Sequence, residues 1–491
     1  MKKTAILATL ILFCLAFSAC GGKTETEGEK TDTKIGGEYY KSGKFCAGFS
    51  RNVCMPDDPV PMEGYGNDRL RFSDGFKDYL TISCTAIQDE KNNLLLLFTE
   101  DTINAGWSKN LRQLCAETFG IPMENVNVTA THTHASVSTL NKTPAGDKFF
   151  EDLTQTGLQT AMEAVADLAP AEMHWGMADL SGYNFVRHYV LSNGEVVGDN
   201  FGTDTGEYVG HSTEENPWMS AVQFKREGAK DIYLATWRAH AHITGKTNSL
   251  SSDFPGPLRD YLEKELDCWF GYYQGDAGNS NPHTRNPEEG VDGLTYTGKI
   301  ERDYRLYAQK IGDIFIQAVK EKEWEKIGDG TGEIKAYGEV YTGKVNHTED
   351  YLKAEAIPIY QKFVECGVSS QAMELSVSGE IRSAFHASGI LTKASLPATK
   401  DEYIAVAQIG DLGFTFAPNE LFVENGNFVR ENSPYKYTMF IGYSNESHSY
   451  IPSQAGYDYH CYEMNLGSFA PGTAELLMDH YLELLKDLQN K

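Results

Sequence analysis

The alternation of apolar and polar residues predicts a unit of strand, helix and strand early in the chain. The apolar run "NLLLLFTED" has the length of a buried strand, "INAGWSKNLRQLCAETFG" has the period of a helix, and "NVNVTATHTH" alternates as a second strand does. The order of strand and helix recurs in "KDIYLATWRAHAH" and "PGPLRDYLEKEL". Parallel strands joined by a crossover helix have this order, so the pattern predicts an α/β layer at the core.

Further helices are predicted at "DYRLYAQKIGDIFIQAVKEKEWEKI" and at the C-terminal "GTAELLMDHYLELLKDLQ", where Thr473 is a suitable N-cap. Strand patterns fill the interval from "EIKAYGEVYTGKV" to "EYIAVAQIGDLGFTFAP", which predicts a more antiparallel second half. The predicted fold class is therefore α/β, with mixed sheets flanked by helices in a single large catalytic domain over residues 38–491.

Composition narrows the classes of function. With 491 residues, of which 41% are hydrophobic, the chain can bury a large core. Its formal net charge of -26 at pH 7 argues against a nucleic-acid partner, since binding to phosphates needs a basic surface.

The first residues have the pattern of an export signal. Two lysines precede an apolar run that ends in "FSAC", which predicts a signal peptide over residues 1–19. The cysteine after Ser-Ala resembles the lipobox of bacterial lipoproteins, so we expect a lipidated Cys20 and a flexible tether over residues 20–37. An ordinary signal peptide is the alternative. The expected location is the bacterial cell envelope, as a periplasmic or outer-membrane lipoprotein whose membrane contact is the anchor at Cys20.

Cysteine usage bears on both disulfides and metals. Of the nine cysteines, Cys46 and Cys54 are close in sequence, and export permits disulfides, so they are a plausible local pair. Seven cysteines follow Cys20, and an odd number leaves at least one thiol free. No C-x-x-C spacing occurs, so cysteine is not the expected metal ligand.

Two pairs of histidines are the strongest chemical signal. His132 and His134 end one predicted strand, and His240 and His242 end another with the same spacing. Residues two apart on a strand project to one face, and neutral imidazoles suit a divalent metal, most naturally zinc. Structural or surface histidines would give the same pattern. Glu420 in "FAPNELF" could add a carboxylate ligand, although a solvated surface charge is the alternative.

Several motifs, in order, resemble the neutral/alkaline (non-lysosomal) ceramidase family. "ATHTHAS" is similar to the family's A-T-H-T-H-S-G, "AHAHITG" and "SSDFPG" to C-H-P-T-x-x-G and S-A-D-F-P-G, and "QGDAGNSNP" to Q-G-x-x-G-D-x-N-P. "APNELFVENG" resembles P-G-E-x-F-V-E-x-G, and "YIPSQAGYDYHCYE" has the spacing of Y-I-P-T-x-x-x-Y-x-x-x-x-Y-E. "AGFSRNVCMP" near the start and "FAPGTAELL" near the end extend the likeness to most of the chain, as in short bacterial members without the C-terminal immunoglobulin-like domain.

The resemblance implies a zinc site. Matching the motifs residue by residue assigns the zinc ligands to His132, His240, Glu420 and a tyrosine, for which Tyr457 fits best and Tyr450 is the runner-up.

The resemblance also implies catalytic residues. His134 would be no ligand but a neighbour facing the same pocket, able to bind substrate or move a proton. Arg187 in "NFVRHYV" would face the substrate carbonyl, and Asp253 in "SSDFPG" would orient a ligand histidine.

Three departures from the family pattern concern specificity more than zinc. Asn279 stands where many members have aspartate, and Asn281 replaces the serine before the proline. Ser280 is displaced by one position, so no serine nucleophile is predicted. Phe469 stands where well-studied ceramidases carry a tyrosine.

These inferences predict a zinc-dependent amidohydrolase that cleaves the amide of an N-acyl lipid with zinc-activated water, ceramide (N-acylsphingosine) being the prototype substrate. A zinc hydrolase of another amide or ester is one alternative. A non-catalytic lipoprotein that binds a small-molecule ligand is the other.

Overall fold

The computed structural model describes residues 35–65, 71–198, 207–284, 303–366, 380–381, 383–447, 449–459 and 461–490. The predicted signal peptide, Cys20 and the tether up to residue 34 lie outside the described residues. Within these ranges, no helix is both long and apolar enough to cross a membrane.

The strands are β1 Cys46–Val53, β2 Pro61–Met62, β3 Arg71–Phe72, β4 Gly75–Phe76, β5 Thr81–Gln88, β6 Leu94–Glu100, β7 Val126–Ala130, β8 Ala169–Asp179, β9 Asn184–Val186, β10 His188–Leu191, β11 Val196–Gly198, β12 Tyr208–His211, β13 Trp218–Arg226, β14 Ile232–Trp237, β15 Ser249–Leu250, β16 Trp269–Gln274, β17 Ser280–Pro282, β18 Glu325–Lys326, β19 Ile334–Lys344, β20 Thr399–Ile409, β21 Leu412–Phe416, β22 Glu420–Leu421, β23 Tyr437–Ile441 and β24 Tyr450–Ile451. The helices are α1 Lys109–Phe119, α2 Pro144–Ala166, α3 Pro255–Leu266, α4 Tyr304–Glu321, α5 Lys353–Cys366, α6 Ala384–Lys393, α7 Val423–Asn432, α8 Tyr462–Leu466 and α9 Thr473–Asn490.

The largest sheet has the strand order β16-β14-β13-β8-β1-β5-β6-β7, with β18 paired to β8. β6 and β7 are parallel and are joined through α1, and β14 and β16 are parallel and are joined through α3. Both are the crossover units that the sequence pattern indicates. The predicted α/β class, with mixed sheets and flanking helices, is confirmed.

The second sheet, β19-β20-β21-β23, has two antiparallel pairs and one parallel pair. The large sheet is itself mostly antiparallel, because β14, β13, β8, β1, β5 and β6 pair antiparallel in succession. Antiparallel pairing is therefore not a property of the second half alone. The sequence of the first half does not reveal its antiparallel pairing, because β5 and β6 are buried along their whole length and show no alternation of apolar and polar residues.

Side chains on the two faces of the large sheet enter different cores. Leu96 of β6 packs with Phe149 of α2 in one hydrophobic cluster, which also contains residues of α1. Its neighbour Leu97 packs with Phe414 of the second sheet in another cluster. The large sheet thus lies between a helical layer and the second sheet, as the alternation of side chains along a strand requires.

Hydrogen bonds join β16, at one end of the large sheet's strand order, to β6, next to the other end. The Thr99 hydroxyl of β6 donates to the Tyr272 carbonyl of β16 at 2.5 Å, and the Tyr273 hydroxyl of β16 donates to the Leu97 carbonyl at 3.1 Å. The sheet therefore curls until β16 contacts β6. This closure brings the elements after β7 and β14, which are distant in strand order, to one place.

The plausible pair Cys46 and Cys54 does not form a disulfide, since both cysteines are free and buried. Cys46 begins the extended strand β1 and Cys54 follows its last residue, so a rise of about 3.3 Å per residue separates them by roughly 26 Å. A disulfide needs Cα atoms within about 7 Å.

Candidate metal centre and active site

The first histidine pair lies in a loop beyond its strand. β7 ends at Ala130, and His132 has a φ of 61°, in the left-handed region. The prediction that the period of a strand places both histidines on one face is therefore wrong in its geometry. The loop is held instead by backbone hydrogen bonds from Ala130 to Tyr443 and from Thr131 to Glu100, at 3.1 and 2.8 Å.

The second pair also follows its strand, since β14 ends at Trp237. The His240 amide donates to the Ser280 carbonyl at 3.1 Å, and the His134 amide donates to the Ala241 carbonyl at 3.0 Å, so the two histidine loops are bonded to each other. The ring centroids of His132 and His240 lie 4.6 Å apart.

Three side chains meet at one point. Nε2 of His132 is 3.0 Å from Nε2 of His240, and Oε2 of Glu420 is 3.2 and 3.5 Å from these two nitrogens. Ligand atoms about 2.0–2.2 Å from a tetrahedral zinc ion lie roughly 3.3–3.6 Å from one another. Nε2 of His134 is 3.3 Å from Nε2 of His132, so His134 belongs to the same group.

The ligand atoms of this group, two imidazole nitrogens and one carboxylate oxygen, suit a bound cation. Nδ1 of His132 lies 2.6 Å from the Ile103 carbonyl and Nδ1 of His240 lies 2.8 Å from the Ala277 carbonyl, and each must donate to that oxygen. In the neutral rings each Nε2 then presents a lone pair. Protonation of His240 would remove the repulsion between these two lone pairs, but burial, followed by the charge of Arg187, lowers the pKa of His240 well below its ordinary value.

Glu420 supports the same conclusion. Its Oε2 is buried and has no hydrogen-bond partner among the described residues. A carboxylate oxygen that faces two imidazole lone pairs is repelled unless positive charge lies between them. The residues present therefore fit a zinc ion held by His132, His240 and Glu420.

The tyrosine beside this group is Tyr450, not Tyr457. The Tyr457 hydroxyl donates to the Phe469 carbonyl at 2.6 Å, so the structure does not bring it into the group. Tyr450 pairs with Glu420 across the parallel strands β22 and β24. Burial and the charge of Glu420 raise the pKa of Tyr450 well above its ordinary value, and Arg187 donates to its hydroxyl at 3.3 Å.

Arg187 is buried next to the metal group and is held by several partners. Its Nε lies 2.6 Å from Oε1 of Glu463, and its Nη2 donates to the Gly278 carbonyl at 2.7 Å. Its Nη1 donates to Asn281 at 3.2 Å. The guanidinium is therefore fixed in orientation between Glu463 and the glycine-rich loop.

Glu463 and His188 are site residues that the sequence reasoning missed. Nε2 of His188 lies 3.0 Å from Oε2 of Glu463, so the carboxylate is shared between His188 and Arg187. Burial acts to raise the pKa of Glu463, but the charges of Arg187 and His188 outweigh it and lower the pKa to about 2. The sequence did offer a signal for Glu463, because this residue is the final glutamate of the "YIPSQAGYDYHCYE" motif.

Asp253 and Asn281, which belong to other motifs, form hydrogen bonds that hold the loops of the site. Asp253 accepts hydrogen bonds from the amide and hydroxyl of Thr244, both at 2.7 Å, so it holds the loop after His242 rather than a ligand ring. Asn281 accepts from Arg187 and lies 3.0 Å from Nε2 of His242.

Ser280 and Asn279 have structural partners. The Ser280 hydroxyl donates to the Arg238 carbonyl at 2.9 Å, and Asn279 donates to Glu424 at 3.0 Å. The Ser280 hydroxyl is bonded to a backbone carbonyl, which does not activate it as a nucleophile.

The architecture matches solved structures. The neutral ceramidase from Pseudomonas aeruginosa superposes with a TM-score of 0.64 at 16% sequence identity, over 91% of this chain and 75% of that chain. The chain has the fold of neutral ceramidase. A ceramidase complexed with C2 matches with a TM-score of 0.66, also at 16% identity and with the same coverage of 91% and 75%. No family model and no curated protein matches the chain.

The neutral ceramidase fold is the one that the motif resemblance implied. At this identity the likeness is one of fold, so the chemistry rests on the residues of this chain. Among those residues, the structure brings together His132, His134, His240, Glu420 and Arg187.

Proposed function

We propose that the protein is a zinc-dependent amidohydrolase that cleaves the amide bond of an N-acyl lipid, with ceramide as the prototype substrate. The observation that supports the proposal most is the convergence of His132 Nε2, His240 Nε2 and Glu420 Oε2 within 3.0–3.5 Å. The shared fold with ceramidases of known structure is the second support.

The site has the parts that amide hydrolysis needs. A bound zinc ion supplies Lewis-acid chemistry and lowers the pKa of a coordinated water to about 7. Arg187 brings a positive charge to the substrate carbonyl, where negative charge develops during attack. Contacts with Glu463, Gly278 and Asn281 hold the guanidinium in one orientation, so it does not have to move during the reaction.

His134 is proposed to deliver a proton to the leaving amine. Burial, followed by the charge of His132, lowers the pKa of His134 well below its ordinary value. The resting ring is therefore neutral, and a proton that it takes up during the reaction is held weakly and is released readily to the leaving amine. Its Nε2 is as near to His132 as a ligand would be, so a role in metal binding is the competing assignment.

For the tyrosine position in the metal group we propose Tyr450 in place of Tyr457. Tyr450 lies opposite Glu420 in a strand pair, whereas the Tyr457 hydroxyl is bonded to a backbone carbonyl. The variants Tyr450→Phe and Tyr457→Phe are a matched pair in chemistry, since each removes one hydroxyl from a tyrosine of the same motif. We expect Tyr450→Phe to lower zinc affinity and kcat, and Tyr457→Phe to change stability alone.

The test of the function uses the purified protein with and without a chelator. It is incubated with N-acylsphingosines, N-acyl amino acids and simple esters, and products are identified by mass spectrometry. We expect turnover of an N-acyl lipid that the chelator abolishes and zinc restores. Turnover confined to esters or N-acyl amino acids would replace the substrate class, and no chelator-sensitive turnover would leave the ligand-binding alternative.

Metal content gives an independent readout. Glu420→Gln keeps the size of the side chain and removes its charge, so zinc bound per chain is expected to fall by at least about tenfold under limiting metal. Full zinc content in Glu420→Gln would refute the ligand assignment.

A further inference from the structure

Tyr443 packs against the metal group and carries a hydroxyl that has no partner among the described residues. The side chain follows β23 and is 2% exposed, and its ring lies 4.1 Å from the ring of His132, centroid to centroid. The hydroxyl is buried and makes no hydrogen bond to any residue that the structure describes. Buried hydroxyls nearly always have a partner, so a specific reason for this one is required.

Two of the charges that act on the Tyr443 hydroxyl, those of Glu420 and Arg187, belong to the proposed reaction, while Tyr272 and Asp276 add smaller effects. Burial raises the pKa of its hydroxyl, the negative charge of Glu420 adds to that effect, and the positive charge of Arg187 opposes it. The hydroxyl therefore lies in the field of a proposed zinc ligand and of the arginine proposed to face the substrate.

The backbone holds Tyr443 in place. Its carbonyl accepts a hydrogen bond from the Ala130 amide at 3.1 Å, at the end of the strand that leads to His132. Its φ is 55°, in the left-handed region that aromatic residues rarely adopt. Conformations of this kind persist where the surrounding structure imposes them, and they are concentrated at functional sites.

Two other tyrosines, one buried and one half-buried, show what a structural hydroxyl looks like here. Tyr481 of α9 donates to the Phe416 carbonyl at 3.0 Å, and Tyr457 donates to the Phe469 carbonyl. Each removes the cost of burial by bonding to the backbone. Tyr443 has the burial without the bond, which is the arrangement expected of a donor whose acceptor arrives from outside the protein.

We propose that Tyr443 is a catalytic residue whose hydroxyl donates a hydrogen bond to the carbonyl oxygen of the substrate amide as negative charge develops on that oxygen. The inference rests on the proposed amidase function, because it assigns the acceptor to the amide being cleaved. It adds a donor that no motif indicates, beside the positive charge of Arg187.

The test compares Tyr443→Phe with the control Tyr481→Phe, both of which remove one buried hydroxyl. In the metal-free protein, Tyr443→Phe is expected to raise the midpoint of thermal unfolding by about 1–3 °C, because an unpaired hydroxyl no longer has to be desolvated. Tyr481→Phe is expected to lower the midpoint, because a satisfied hydrogen bond is lost.

Activity is measured on the zinc-loaded enzymes with N-dodecanoylsphingosine. Loss of one preorganised donor to the oxyanion predicts a fall in kcat of about 100-fold for Tyr443→Phe with little change in KM. Binding of dodecanoate, whose carboxylate resembles the charged oxygen, is expected to weaken at least about tenfold by calorimetry. Tyr481→Phe is expected to match the wild type in both measurements.

The outcomes separate the two proposals. If the wild type turns over the amide and Tyr443→Phe keeps its kcat and its affinity for dodecanoate, the role of Tyr443 is refuted and the amidase function stands. If the wild type has no amidase activity, the proposed function fails and the dodecanoate titration still decides whether Tyr443 donates to an anionic oxygen. Wild-type protein with neither turnover nor dodecanoate binding would refute both.

Discussion

Glu463→Gln removes a buried charge on which two buried cationic partners depend, and a large loss of stability is expected. The carboxylate is 1% exposed and lies between Arg187, at 2.6 Å, and His188, at 3.0 Å. Glutamine has the same shape, so the variant removes the negative charge and leaves a buried guanidinium that lacks its counterion. Breaking a buried ion pair from one side costs about 3–5 kcal/mol.

The pKa of Glu463 supplies a second value for the same interaction. Burial acts to raise this pKa, yet Arg187 and His188 lower it from the ordinary 4.5 to about 2. At about 1.4 kcal/mol for each pH unit of difference, the ionised form is stabilised by about 3 kcal/mol in the folded protein. We therefore expect Glu463→Gln to lower the free energy of unfolding by about 3 kcal/mol at pH 7.

The assay is urea unfolding at pH values from 7 down to 3. The folded pKa of Glu463 is the lower one, so its contribution is complete above about pH 4.5 and is lost as the pH falls toward 2. The stability difference between wild type and Glu463→Gln is thus expected to shrink over that interval. The control is Glu172→Gln, whose half-exposed pair with Lys326 contributes less than about 1 kcal/mol. Equal losses in the two variants at pH 7 would refute the reasoning.

Three further predictions concern the metal loop, the thiols and the anchor. In Gly278→Ala the added Cβ would lie 2.5 Å from the Glu420 carbonyl oxygen, which would displace Glu420. Zinc content, by metal analysis, and kcat/KM should therefore both fall at least about tenfold. The control Gly210→Ala adds a Cβ in open space and should resemble the wild type. Cys46 and Cys54 should both be alkylated after unfolding without reductant, and a disulfide between them in the peptide map would contradict the fold. Cys20→Ala should move the protein from the membrane to the soluble fraction and abolish lipid labelling, and unchanged membrane fractionation would contradict the proposed anchor.

Sequence patterns identified the parts of the fold that are determined locally. The runs around β6, α1 and β7 have the lengths and periods of their elements, and the parallel pairing follows from the crossover connection. α4 was predicted in the same way, and its N-cap Asp303 accepts hydrogen bonds from the amides of Arg305 and Leu306. The sequence did not predict which strands of the large sheet pair antiparallel. A strand that is buried on both faces shows no alternation of apolar and polar residues from which the pairing could be inferred.

The site was predicted well in its residue types and less well in its geometry. The motifs singled out His132, His240 and Glu420, which the structure brings within 3.5 Å of one another. The choice between Tyr450 and Tyr457 needed the pairing of β22 with β24, because nothing in the spacing says which tyrosine faces Glu420.

The sequence by itself determined the secondary elements and the chemistry available at their ends, because both depend on neighbours within a few turns of chain. Only the tertiary structure decided how that chemistry is assembled. His132 and His240 are 108 residues apart, and they meet because the large sheet curls until Thr99 of β6 bonds to β16. That closure depends on burial of both sheet faces, a property of the whole chain. The contact of Tyr443 with His132 and the buried pair of Arg187 with Glu463 also join segments that are far apart in the chain, so only the tertiary structure shows them.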